Sequence, residues 1–235
     1  MIAVFKREMR SYFTSVIGYV FLVVYLAAAG AILCYTTLFS MSADITPFFS
    51  YTLLLSSVML PLLTMKSFSE ERKAKTEQLL LTSPVSITGI VVGKFLAAYA
   101  MFAACVTLTS LYSLVLISYA QLKVAVLFGN LIAILLVGMA FIAIGLFVSS
   151  LTENQLAAAI GTIAIILAFL LIGLVSSLIP SSYAIRYVFS FLSIFTRFQA
   201  FSNGYFDFSA ILYYISIAAI FMYLTVRIYD RRRYN

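Results

Sequence analysis

The chain is 235 residues long, 64% hydrophobic and 10% charged, with mean hydropathy +1.10 and formal net charge +7. A soluble domain carries roughly a quarter charged residues, so this composition excludes a protein that faces water throughout, and lipid must be the solvent for most of the chain. With no histidine and no G-x-S-x-G, Ser-His-Asp and Cys-His nucleophiles and an HExxH zinc site are excluded as well.

In chain order, residues 2–13 place Ile2, Phe5, Met9, Tyr12 and Phe13 at helical spacing, with Lys6, Arg7 and Arg10 on the other side. The pattern predicts an interfacial amphipathic helix over 1–14; a frayed basic tail is the alternative. Six runs free of charge follow, at 11–43, 45–65, 95–122, 124–152, 154–185 and 208–226. A spanning helix needs about 20 mostly apolar residues, so each run holds one. The runs are apolar on every face, which disfavours a β-barrel. The expected architecture is all-α, with spans at roughly 16–39, 48–65, 88–117, 124–149, 156–179 and 209–227. The first apolar run is too long for a signal-peptide core and is read as a retained span.

Thr46-Pro47 and Ser83-Pro84 read as helix openings, and Pro180 follows a helix end. Pro61 lies inside a span and predicts a kink. Cys34 and Cys105 fall within spans as small core residues, with no disulfide framework or metal cluster implied. Gly145 with Ser149, and Ala157 with Gly161, are small pairs four apart that allow helices to approach. Ser56, Ser57, Thr107 and Ser110 either line a path or bond to carbonyls of their own helices.

The longest polar loop runs from Lys66 to Ile87 and reads KSFSEERKAKTEQLLLTSPVSI. Ser67 and Glu70 fit a capping box, so a short helix is expected there. Its charges are mixed in sign, whereas orienting a membrane protein needs only Lys and Arg. The extra carboxylates beside Leu79-Leu80-Leu81 suggest a docking surface for a soluble partner, and a solvated loop is the competing reading. Gly89 to Lys94 looks like a phosphate-binding loop, but it has three residues between its glycines instead of four, and Phe95 after the lysine. Lys94 is expected to snorkel to the membrane interface.

Glu153 sits in a short turn between the fourth and fifth spans. In the outer region 180–208, Arg186, Ser190, Ser193 and Arg197 recur at helical spacing as one polar stripe on an aromatic background. A seventh span here would put Arg197 near mid-bilayer at a cost of several kcal/mol. A helix or helix pair dipping into the outer leaflet is preferred, with a merely anchoring aromatic belt as the competitor. Six spans place both termini on one side, together with 12 of the 15 Lys and Arg, so that side and the 66–87 loop are assigned to the cytosol. Basic residues beside spans are explained by anionic lipid and topology, so no nucleic acid is implied.

Three stretches carry a family resemblance. The first joins Glu70-Glu71-Arg72-Lys73, Thr76-Glu77-Gln78-Leu79-Leu80, Ser83-Pro84-Val85-Ser86 and Gly93-Lys94. The second joins Gly145-Leu146, Ser149-Ser150-Leu151-Thr152 and Asn154-Gln155. The third joins Leu212-Tyr213-Tyr214, Leu224-Thr225 and Arg231-Arg232-Arg233. Over essentially its full length the chain resembles an ABC-2 type transporter permease, most of all the gliding-motility permease-like subgroup. It departs from the family's pattern at Lys75, where members usually carry glycine. The resemblance implies an elbow helix at 1–14, a coupling helix in the 66–87 loop and a re-entrant gate over 180–208. It implies separate ATP-binding-cassette ATPase subunits that hold ATP and Mg, a second permease half, and an auxiliary membrane protein with an external domain.

The residues implied in ATPase coupling are Glu70, Glu71, Arg72, Thr76, Glu77, Leu79, Leu80 and Pro84, with Thr152, Glu153 and Asn154 in a second cytosolic turn. The expected function is the permease subunit of an ATP-driven exporter in a prokaryotic cytoplasmic membrane, with no catalytic site and no cofactor of its own. The alternative is mechanotransmission to an external partner without solute transport. A secondary transporter would need interrupted helices and buried ionisable groups in its spans, and the sequence suggests neither.

Overall fold

The computed structural model describes residues 1–40, 44–78, 85–117, 124–178, 193–202 and 207–234. The amphipathic helix α1 (Ile2–Thr14) forms as its periodicity dictates. Ser15 then takes an extended conformation and turns the chain into α2 (Val16–Leu33), which runs on as a π-helical turn at Cys34–Leu38. Gly18 makes this corner possible, because a Cβ there would lie 2.0 Å from the carbonyl oxygen of Tyr12. There follow α3 (Thr46–Thr64), α4 (Lys66–Lys73), α5 (Ile87–Ile117), α6 (Val124–Leu151), α7 (Gln155–Leu178), α8 (Ile194–Ser202) and α9 (Phe208–Tyr234).

Among the described residues, six helical stretches are long and apolar enough to cross a membrane: Val16–Leu38, Thr46–Lys73, Ile87–Tyr112, Val126–Leu151, Gln155–Gly173 and Phe208–Arg233. They match the six charge-free runs in number and order. Helix α8 has nine residues, about 14 Å at 1.5 Å per residue, and is far too short for a hydrocarbon core of about 30 Å.

Helix α6 occupies the centre. It packs against α9, α3, α7, α5 and α8, and its most apolar window is 67% buried, against 28% for α2, α7 and α9. A helix apolar on all sides belongs inside a bundle. Glycines set how closely its neighbours approach. A Cβ on Gly138 would stand 2.0 Å from the ring of Phe102 on α5, and one on Gly145 would stand 2.1 Å from Thr64 Oγ1 on α3. On α7, Ala158, Thr162, Ile166 and Leu170 form the buried stripe, with Gly161 against Val148 of α6.

Several local expectations shift. Thr46 is the first residue of α3 and not its cap: Asp44 Oδ1 accepts the Thr46 N–H at 2.9 Å. Helix α3 continues through Pro61, and the boundary with α4 falls one turn later, at Met65. The Ser67–Glu70 capping box does not form, because α3 runs almost directly into α4 and leaves no free helix start; Ser67 is buried within α4. The serines and threonines flagged as path-lining bond within their own helices: Ser56 to Thr52, Ser57 to Leu54, Thr107 to Ala103 and Ser110 to Thr107. Ser56 also meets the buried hydroxyl of Tyr25 at 3.1 Å.

Candidate functional site

Charged side chains gather at one end of the bundle, where α1, α4, the 152–154 turn and the end of α9 meet. Helix α1 lies across the start of α5. A Cβ on Gly93 would come within 3.1 Å of the Met1 carbonyl and the Val4 side chain, and one on Gly89 within 3.5 Å of the Met1 nitrogen. The two glycines that imitate a phosphate loop are thus the seat of α1. Val4 and Glu8 face inward on this helix, while Ile2 and Phe13 point away.

Lys94 does not snorkel. Its side chain is 1% exposed and its Nζ lies 3.1 Å from Glu8 Oε1 and 3.0 Å from Glu71 Oε1. It also donates to the Ser67 carbonyl at 2.6 Å and stands 5.0 Å over the ring of Phe68. Arg7 completes the cluster, 2.7 Å from both carboxylates. Two cations face two carboxylates, so α1, α4 and α5 are joined with no net charge buried. A lysine about two turns into an apolar helix reaches water only when nothing nearer offers it a carboxylate, and here two do. Burial pushes the Glu8 carboxyl up, but the charges of Lys94 and Arg7 outweigh it and hold the group below the ordinary glutamate value.

A second cluster closes the end of α6. Arg72 on α4 donates to the Leu151 carbonyl at 2.9 Å and pairs with Glu153 at 3.0 Å. Arg232 on α9 donates to the Ser150 carbonyl at 2.8 Å and pairs with Glu77 at 3.0 Å. The last carbonyls of a helix lack intrahelical donors and carry partial negative charge, which two guanidinium groups satisfy here. Between the clusters runs a stack of cation, ring, ring and cation. The Phe68 and Tyr229 ring centroids are 4.8 Å apart, with Lys94 over the first ring and Arg232 over the second. Ser149 of α6 fixes the α3–α4 boundary: its Oγ accepts the N–H groups of Phe68 and Ser69 and donates to the Met65 carbonyl.

Helix α4 ends in a Schellman motif, with Thr76 N–H on the Glu71 carbonyl and Lys75 N–H on that of Arg72. The motif requires a left-handed residue at Lys75, whose φ is +57°. This is the position at which the resembled family usually carries glycine.

The expected coupling residues therefore divide into two sets. Glu71, Arg72 and Glu77 are turned to the protein, while Glu70 and Thr76 are exposed, as is the neighbouring Lys73, which was not among them. Leu79, Leu80 and Pro84 lie outside the described residues. In the second turn, Thr152 Oγ1 accepts the Asn154 N–H and Asn154 Oδ1 accepts that of Leu156, so both shape the start of α7 while Glu153 pairs with Arg72. At the other end, Arg186 and Ser190 lie outside the described residues. Ser193 immediately precedes α8, and its buried Oγ accepts the Thr196 N–H as a cap. Arg197 donates to Ser209 Oγ at 2.9 Å and lies over Tyr213, tying α8 to α9. Sequence reasoning missed Glu8, Phe68, Tyr229, the hydrogen bonds of Ser149 and the inner role of Lys94. The one available signal was a lone glutamate, Glu8, on an otherwise basic helix.

A family model described as ABC-2 family transporter protein matches residues 2–232. The chain belongs to the ABC-2 transporter family. As a member, with six apolar helices long enough to cross a bilayer, it is a multi-pass membrane protein and a membrane component of the transport machinery. No curated protein matches the chain.

Proposed function

We propose that this ABC-2 family protein is the permease subunit of an ATP-binding-cassette exporter, with the charged end of the bundle in the cytosol of a prokaryotic cell. The α4 segment acts as its coupling helix. One observation supports this above the others: α4 and the residues after it show charge outward while being tied inward to α1, α5, α6 and α9. Glu70, Lys73 and Thr76 are exposed for a partner to grip. Glu71, Arg72 and Glu77 carry any displacement into the bundle through Lys94, the end of α6 and Arg232. A lone topology signal would need only the cations.

In this reading ATP and Mg sit on partner ATPase subunits, whose closure pulls on the 66–87 loop. The shift propagates because contacts of α4 differ between two bundle arrangements. The transport path forms between two copies of the chain, and the 180–208 region, including Arg197, gates its far end. The resemblance of its motifs to the gliding-motility permease-like subgroup supports an auxiliary membrane protein bearing an external domain as a further partner.

The test is a mild-detergent purification followed by mass spectrometry. The wild type is expected to bring down an ATP-binding-cassette subunit. The exposed double variant Glu70→Lys with Lys73→Glu is expected to insert normally and lose that subunit by about tenfold or more. Recovery of no such subunit by the wild type, or undiminished recovery by the variant, overturns the proposal.

A further inference from the structure

A cleft of about 450 Å³ opens between the last turns of α6 and α9 at the charged end of the bundle. Leu224, Arg227, Ile228 and Arg231 form one wall, spaced as a single stripe of α9. Phe147 and Leu151, one turn apart on α6, form the other. The walls change character along the helix axis. Arg231 and Arg227 lie nearest the charged end, and the stripe runs about 10 Å along α9 to the exposed Leu224, with Phe147 of α6 on the facing wall.

The arginines of this cleft are not equivalent. Arg232, also on its rim, is committed to Glu77 and the Ser150 carbonyl. Arg227 gives its Nε–H to Tyr223 Oη at 2.7 Å. Among the described residues neither Arg227 nor Arg231 forms an ion pair, and both are exposed. Two guanidinium groups at one end of an open, largely apolar groove, on a helix apolar enough to cross a bilayer, are complementary to one kind of molecule. Its head must be anionic, with oxygens that accept paired N–H bonds, and its tail must be hydrocarbon. A soluble anion leaves the apolar part of the groove uncovered, and a zwitterionic lipid sets its own ammonium against the arginines.

We infer that the cleft between α6 and α9 binds one anionic phospholipid from the adjoining leaflet. Arg227 and Arg231 hold its phosphate, and an acyl chain lies along Leu224 and Phe147. Basic pockets between membrane helices are suited to such headgroups. The site adjoins the α6–Arg232 clamp, so an occupied cleft braces the junction on which the 66–87 loop bears. The inference stands on the cleft alone and does not depend on the coupling role.

The chain contains no tryptophan, so a single introduced tryptophan reports on one place. Leu224→Trp is put in the cleft, and Leu212→Trp, exposed at the other end of α9, serves as control. Each protein is reconstituted in bilayers carrying a small fraction of chain-brominated phosphatidylglycerol or phosphatidylcholine. In the cleft, phosphatidylglycerol is expected to quench at about tenfold lower mole fraction than phosphatidylcholine. The control is expected to show no preference. Adding Arg227→Gln with Arg231→Gln to Leu224→Trp should abolish the preference while both lipids still quench, which shows the protein remains inserted. Equal quenching by the two lipids before that change, a preference that survives it, or no quenching by either lipid because protein covers the cleft, overturns the inference.

Discussion

Lys94 decides how the charged end is built. Its ammonium is buried between Glu8 and Glu71, with Arg7 on the outer side of both carboxylates. A buried ion pair contributes little relative to an apolar replacement of the whole group, but removing one partner strands the others. Lys94→Met is therefore expected to destabilise the protein by about 3–5 kcal/mol. Adding Glu71→Gln should recover about 1–3 kcal/mol of that loss; thermal unfolding of the two single variants and the double variant measures it. Lys75 presents the opposite case, an exposed residue at a left-handed position with no Cβ-free backbone. Lys75→Gly is expected to stabilise the α4 terminus by about 0.5–1 kcal/mol, seen as slower amide exchange at Ala74 to Thr76. At this scale the sequence was read well where chemistry is local, as at the unusual residue Lys75. It was read poorly for Lys94, whose surroundings are assembled by elements far apart in the chain.

At the scale of the element, hydrophobic length made the six spans legible, since a bilayer fixes how many apolar residues a helix needs. The amphipathic α1 was legible from its period, but the period did not say which side packs on the bundle. The large apolar residues Ile2 and Phe13 are exposed, and the smaller Val4 together with Glu8 packs on α5. Size and hydropathy rank side chains for lipid as readily as for protein, so periodicity alone does not say which side of an interfacial helix meets its neighbour. Small residues carry that information instead, and Gly93 is where α1 lies closest to α5. Gly93→Val should lift α1 from α5, separating Glu8 from Lys94. Protease cleavage near Ser11 to Ser15 is then expected to speed up about tenfold, while the same substitution at Gly30, where a Cβ meets only the tip of Tyr112 at 3.8 Å, should leave it unchanged. The capping box at Ser67 failed for a related reason: its signal is valid only at a free helix start, and α3 supplies none.

For the molecule as a whole, α6 is the hub on which both ends depend. At one end Ser202 Oγ donates to Asn130 Oδ1 and holds α8 against it, and at the other Arg72 and Arg232 close its last carbonyls. The sequence made the family and the polar loop visible, but not the ties that join that loop to α1, α6 and α9, because each links residues about 60 to 155 positions apart. The outward residues of α4 and its inward arginine ties make different demands, one of grip and one of transmission. Arg232→Gln keeps Glu70 and Lys73 available while cutting the link between Glu77 and the end of α6. The direct measurement is ATP hydrolysis by the purified complex in bilayers, alongside the amount of ATPase subunit retained. Arg232→Gln is expected to retain the subunit at the wild-type amount and lower permease-stimulated hydrolysis about tenfold. Wild-type hydrolysis in that variant, with the subunit bound, would contradict transmission through this junction.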